Sequence, residues 1–355
     1  MTPVPALHRN DCEPLQHSSC SESVVVRRTR TNDIDTHTAQ LQDWELHYDQ
    51  LDCGAFEGCF TDIRWPGMQL FVETTTRRVR QRGHLLPDSF GIGTMLDGDG
   101  SLCVNGIRSG VGTLLTCDST ELDLCTPANC TVAGLVVDAD TLHKAAESMP
   151  DLGPLLRPDM LLAMTPPEAL LAPWRSLLLS SVQSAIERPW LLHDPGIQQQ
   201  LRSDLLVHLV EAMAGAQRAD QVHRVGARKR IVDRACELML SQPDEPLSLF
   251  EVCSRVGASP RKLGYCFQDV LGLSPARYIK AMRLNDVRRE LARGDKPELS
   301  VYDAAARRGF WHFGHFSADY KKQFSELPSE TLGRARRQLG RQAKPPVNSS
   351  AAAAR

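Results

Sequence analysis

"LSLFEVCSRVGASPRKLGYCF" (residues 247–267) and "LSVYDAAARRGFWHFGHFSADY" (residues 299–320) are two versions of one pattern. In the first, Leu249, Val252 and Val256 fall at helical steps on one face, Gly257 interrupts, and Leu263, Phe267 and Leu271 carry a second apolar stripe. Glycine suits the break because a residue without Cβ reaches positive φ cheaply. Ser259 ahead of Pro260 reads as an N-cap followed by a first-turn proline. In the second, Val301, Ala304, Ala305 and Arg308 precede Gly309, and Phe316, Tyr320 and Phe324 form the next stripe. Gly257 matches Gly309 at an offset of 52, whereas Phe267 matches Tyr320 and Pro275 matches Pro328 at an offset of 53, so the second turn holds one extra residue. Each copy is therefore helix, tight turn, helix. The apolar positions repeat because both copies bury the same faces, and the exposed positions differ as they would if each read different base pairs. Joined by "SPARYIKAMRLNDVRRELARG" (residues 274–294), the two copies can address major-groove segments about one helical turn apart without dimerising.

The charge distribution agrees with a nucleic-acid module at this end of the chain. The 355 residues carry a net charge of only -2, yet residues 221–344 hold 24 Lys and Arg against 14 Asp and Glu, and the remainder holds 17 against 29. A basic C-terminal third on an acidic remainder points to nucleic acid bound by one part alone. The 42% hydrophobic and 24% charged content is that of an ordinary soluble protein of two or three domains. No apolar run approaches the roughly 20 residues of a membrane span, and "MTPVPALHRNDCEPLQ" (residues 1–16) lacks a secretory pattern, so no membrane is expected and the cytoplasm is. The eleven cysteines form no C-x-x-C pair and the eleven histidines no H-x-x-x-H, which favours buried thiols over a metal site. No glycine-rich phosphate loop or G-x-S-x-G elbow is present, so neither an enzyme nor a cofactor is expected.

Residues 1–40 are rich in Ser, Thr, His, Pro and Arg and read as a disordered tail, as do residues 341–355. Residues 41–150 hold short β-branched runs with glycine-bearing turns, the texture of an antiparallel barrel or sandwich. Residues 151–220 are helical, and Ile197, Leu201, Leu205, Leu209 and Met213 recur at steps of four as one apolar stripe, either a dimer seam or a face packed on the β-rich part. The polar, basic stretch 215–230 reads as a linker running into the next helix. Trp44, Trp65 and His84 are the candidates for a ligand pocket, with plain core roles as the alternative.

Gly309, Phe310, Phe316, Tyr320, Lys321, Phe324 and Pro328 bring the second copy close to the hallmark of the AraC/XylS family of transcription regulators, which the region from 228 to 337 resembles. Its C-terminal motif is most similar to the branch of the ethanolamine-utilisation regulator. One departure is Ser325, where the family usually has glycine after the phenylalanine. The resemblance implies an α+β chain with an N-terminal cupin-like antiparallel β-barrel that senses, a helical dimerisation segment, and an all-α tandem helix-turn-helix domain over residues 221–340. It implies a DNA operator, RNA polymerase and a small-molecule effector as partners, a possible homodimer, and activation of transcription. By position in the family pattern, the groove-facing residues of the first copy are Ser259, Arg261, Lys262, Gly264, Tyr265 and Gln268. Arg261 suits a bidentate contact to guanine, and Gln268 a contact to adenine or phosphate. In the second copy His312, Phe313, Gly314, His315, Ser317 and Ala318 take those positions, with Lys321 and Lys322 as phosphate anchors. Trp311 and His312 read as turn or core packing rather than base stacking or metal binding. The rival function is an effector-independent DNA- or RNA-binding protein.

Overall fold

The structure is a computed structural model that describes residues 24–41, 44–118, 121–148, 162–218, 222–241, 247–296 and 298–342. The chain divides into two compact units, Met1–Asp49 with Phe56–Lys229, and Gln50–Ala55 with Arg230–Arg355.

In chain order the first unit is built from β1 (Val25–Thr31), α1 (Ile34–Ala39), β2 (Glu45–Gln50), β3 (Gly58–Trp65), β4 (Met68–Thr75), β5 (Val79–His84), β6 (Ser89–Asp97), β7 (Leu102–Val104), β8 (Ile107–Ser109), β9 (Leu114–Asp118), β10 (Leu122–Thr126) and β11 (Cys130–Asp138). Then follow α2 (Ala139–Ser148), β12 (Leu162–Thr165), α3 (Glu168–Glu187), α4 (Pro195–Ala214), β13 (Gln217–Arg218) and α5 (Val222–Leu240), in which the division into units falls. The strands make two sheets, ordered β1-β3-β4-β11-β6-β9-β12-β13 and β2-β5-β10-β7-β8. Every described pairing is antiparallel, and among the described residues no strand bridges the sheets. The β-rich expectation therefore stands, but the barrel is not closed.

Both faces of the larger sheet are covered, and the two-residue period of β4 makes the division visible. Met68, Leu70 and Val72 join Trp174, Leu178, Leu205 and Leu209 in one core, so this face lies against α3 and α4. Gln69, Phe71 and Glu73 alternate with them, and Phe71 packs on a second core shared by Phe60 and Val132 of this sheet with Val79, Val104 and Leu124 of the smaller one.

Two expectations are corrected here. Residues 24–41 are not a tail: β1 pairs with β3 over seven residues, and α1 buries Ile34 and His37. Among the arginines that made this stretch look solvated, Arg27 lies 3.2 Å from the buried Asp62. Residues 1–23 lie outside the described residues, as do 149–161 and 343–355. The stripe on α4 belongs to the core of its own unit. Leu205, Leu209 and Met213 are 0%, 2% and 1% exposed and Leu201 packs against them, while Ile197 is 41% exposed. Large aliphatic residues at four-residue steps cover whatever surface is nearest, and here that is α3 and the sheet.

The second unit holds the remainder of α5, then α6 (Leu249–Val256), α7 (Pro260–Val270), α8 (Pro275–Arg293), α9 (Val301–Ala306), α10 (Phe313–Phe324) and α11 (Pro328–Gln342). The two copies of the sequence pattern are α6–α7 and α9–α10. Segment Gln50–Ala55 belongs to this unit. Asn285 donates to the Gln50 carbonyl at 2.9 Å, and Gln323 donates to the same carbonyl at 3.0 Å.

Candidate functional site

Local chemistry fixes each helix of the tandem pair. Ser248 caps α6 and Ser300 caps α9, each in a reciprocal box with Glu251 or Asp303 three residues on. These hydrogen bonds, from the serine side chain first, hold both carboxyls below their usual range. Gly257 closes α6 at φ 70°, and Gly309 turns at φ 77°. Ser259 caps α7 by accepting from Lys262 N at 3.2 Å. The inward positions repeat as the sequence requires: Val252 and Cys253 are buried like Ala304 and Ala305, and Leu263 and Phe267 like Phe316 and Tyr320. α8 buries Tyr278, Ala281, Met282, Leu284, Val287 and Leu291. Phe267 meets Tyr278 edge-on at 5.7 Å, and Leu284, Val287 and Leu291 share a core with Phe316, Tyr320 and Phe324. Burial is also the main reason the Tyr320 hydroxyl ionises only far above its usual range, so it stays a donor or acceptor to Thr331 Oγ1 at 2.9 Å.

The outward positions form the candidate interface. Ser259, Arg261, Lys262, Tyr265 and Gln268 are exposed on one copy, with Gly264 half-buried between them. Arg261 and Tyr265 lie one turn apart, with the guanidinium carbon 5.6 Å from the ring centre and Nη2 donating to the phenol oxygen at 3.3 Å. That contact pre-orders a long side chain that would otherwise lose rotamer freedom on binding. On the other copy His312, Gly314, His315, Ala318, Lys321 and Lys322 are exposed and Ser317 is half-buried. Phe313 is half-buried and stacks on Tyr302 at 4.4 Å, so part of its surface is committed to its own unit. Lys280 of α8 meets Asp319 of α10 at 2.7 Å, which leaves Lys321 and Lys322 as the exposed cations of that helix. Trp311, read from sequence as packing, is 67% exposed. Phe250, at 77% exposure, was not singled out by the sequence at all. Its signal was available, because it stands off the stripe of Leu249, Val252 and Val256.

The first unit holds a cavity of about 70 Å³ between its sheets. Its wall is apolar, with Phe71, Leu124 and Val132 among the lining residues, and Glu73 and Gln81 supply a polar pole. Of the three residues read from sequence as pocket candidates, only Trp44 lines it. Trp65 is buried in the core on the other face of β4's sheet, and His84 is exposed. Glu73 accepts from Tyr48 at 2.9 Å and from Gln81 at 2.9 Å, and His37 Nε2 lies 2.9 Å from the same oxygen as Tyr48. Burial first, then the neighbouring Glu73 carboxylate, pushes Tyr48 well above the usual phenol range and keeps it a donor. Among the described residues no group of acidic, histidine or cysteine side chains could hold a metal ion, and no helix is long and apolar enough to cross a membrane.

Comparison with known proteins places this geometry. A helix-turn-helix domain family matches residues 252–344. The probable thc operon regulatory protein of Rhodococcus erythropolis is 30% identical over 167 residues, 42% of this chain and 50% of that protein. A XylDLEGF operon transcriptional activator of Pseudomonas putida is 35% identical over 88 residues, 25% of this chain and 27% of that protein. The chain thus spans half or less of the length of these two relatives. A solved structure of a probable AraC family transcriptional regulator from Rhodopseudomonas palustris is 34% identical, covering 30% of this chain and 98% of that one, with a TM-score of 0.29. The matched residues form the tandem α6–α7 and α9–α10 pair, so this part of the chain is a helix-turn-helix domain similar in sequence to these transcription regulators.

Proposed function

We propose that the chain binds a bipartite duplex-DNA site through α7 and α10 and alters transcription there in response to a small molecule held in its β-rich unit. The observation that carries the reading is the paired pattern itself: two helix-turn-helix copies with the same positions buried and different side chains exposed. A helical hairpin used only for packing has no reason to repeat its inward face and vary its outward one. Arg261, Lys262 and Gln268 supply donors to base edges in one half-site, and Lys321 and Lys322 supply phosphate contacts in the other. The apolar pocket with one polar pole supports an effector, and it favours this reading over an effector-independent nucleic-acid binder. RNA polymerase and a second copy of the chain remain partners in this proposal. Any dimer seam lies elsewhere than Leu205, Leu209 and Met213, which are covered within one unit.

The test is selection of the full chain against a random duplex library. Enrichment of two short motifs about one helical turn apart is expected. Retention of duplex without sequence enrichment, or preference for RNA, would remove the specific-regulator reading.

A further inference from the structure

The pocket's charge and hydrogen-bond accounting narrows what it accepts. Among its described lining residues Glu73 carries the one ionisable carboxyl, and no Lys, Arg or His lines it. A carboxylate offers about four acceptor positions. Tyr48 and His37 occupy one oxygen of Glu73, and Gln81 donates to the other, so one position is left. Glu73 is itself only 5% exposed, and Phe71, two residues before it on the same face of β4, lines the pocket with it. The indole NH of Trp44 is already given to Gln69 at 3.1 Å, so the indole presents its ring to the pocket and no free donor. The ring is braced edge-on against Phe71 at 5.1 Å and Phe60 at 5.7 Å.

We propose that the pocket takes a small, mainly apolar ring compound bearing one hydrogen-bond donor, a hydroxyl or an amine, which it presents to Glu73, and that it rejects carboxylates. The inference takes the pocket's place in the protein from the effector reading above and adds the chemistry of the ligand. A donor fills the open acceptor position of a desolvated carboxylate, a hydrogen bond of the stronger, charge-assisted kind. A ligand carboxylate would bring a second negative charge beside Glu73 with no cation in the lining to offset either. An ether of the same shape would bury an acceptor against an acceptor and leave both without a proton.

Isothermal titration calorimetry of the full chain with three ring-matched probes tests this. The expected order is para-ethylphenol tightest, with para-ethylanisole and para-ethylbenzoate weaker by about tenfold or more. Glu73→Gln should narrow the gap between phenol and benzoate. Because Glu73 also anchors three donors, a second variant leaves that cluster alone: Leu124→Phe fills the apolar wall and should abolish para-ethylphenol binding while the thermal transition is retained. Benzoate binding as tightly as the phenol, no binding of the phenol, or phenol binding unchanged in Leu124→Phe would each overturn the proposal. Adding para-ethylphenol to a titration with the selected duplex separates the two claims. The expected probe order with unaltered DNA affinity would uphold the ligand class and remove the effector role.

Discussion

Truncating the α4 stripe residue by residue separates a covered core from a dimer seam. Leu205 and Leu209 are 0% and 2% exposed among Trp174, Leu178 and the sheet residues Leu70 and Val72, so Leu→Ala at either leaves a cavity as well as losing transfer energy. Such sites cost about 3 kcal/mol or more. In a unit of this size each kcal/mol moves the melting temperature by about 2–4 °C, so each variant should fall by roughly 6–12 °C. Ile197, on the same stripe but 41% exposed, should change by no more than about 0.5 kcal/mol when replaced by alanine. Differential scanning calorimetry reads the stability, and sedimentation velocity reads the mass of the folded species. The reasoning fails if Leu205→Ala and Leu209→Ala melt like wild type while sedimentation shifts from dimer to monomer. That result would mean a second copy, not α3 and the sheet, covers the stripe.

Arg261→Ala should cost about 1–3 kcal/mol at one base pair of the selected site and relax preference there, whereas Lys322→Ala should weaken all duplexes alike and reduce the salt slope by about one; fluorescence anisotropy on matched and mismatched duplexes distinguishes them. Ser325→Gly should raise the melting temperature of the second unit, because Ser325 ends α10 at φ 59° and a left-handed residue with a Cβ costs about 1 kcal/mol; a fall on calorimetry would refute the strain. The buried Asp123 is raised by burial, but Arg80 at 2.8 and 2.7 Å and Lys229 at 2.8 Å outweigh this and hold its carboxyl well below the usual range. Its folded pKa is lower than its unfolded one, so its stabilisation is complete above about pH 5 and is lost as pH falls below about 4. Asp123→Asn should therefore cost about 3–5 kcal/mol in urea titrations at neutral pH, a gap that narrows in acid; a gap independent of pH would contradict the pairing.

The tandem helices were legible because every signal there is local. Cap, glycine, proline and apolar step all lie within about ten residues of one another, and two copies check each other. Strand β1 was hidden because its sequence, VVRRTRT, shows no apolar alternation and is rich in arginine, with the Asp62 that receives Arg27 more than thirty residues away. The stripe on α4 was visible, but its partner was not, since a sequence shows which face is apolar and not what covers it. The pocket's pole was the least legible feature. Glu73 sits two residues from Phe71 on one face of β4, and its meaning depends on Tyr48, His37 and Gln81 arriving from three other elements.

The one-residue difference between the copies acquires a location in the structure, and with it a consequence. Each turn closes with the same bond: Ala258 N donates to Cys253 O at 3.1 Å, and Phe310 N donates to Ala305 O at 3.0 Å, five residues back in both cases. After Ala258 the next residue, Ser259, caps α7; after Phe310 one further residue intervenes before His312, which occupies the cap position of α10. The inserted residue is Trp311. It exchanges a serine-capped helix start for one with no side-chain cap, at a loss of about 1 kcal/mol of helix stability. In return it sets a ring that is 67% exposed beside the first turn of the helix proposed to enter the groove. α7 presents Arg261, Lys262, Tyr265 and Gln268, whereas α10 presents Gly314, His315 and Ala318, a much poorer set of hydrogen-bond donors. In the proposed binding mode the two copies divide the work by chemistry: directional donors on the first, and on the second a flat, largely apolar end suited to ring contact, with Lys321 and Lys322 for the phosphates.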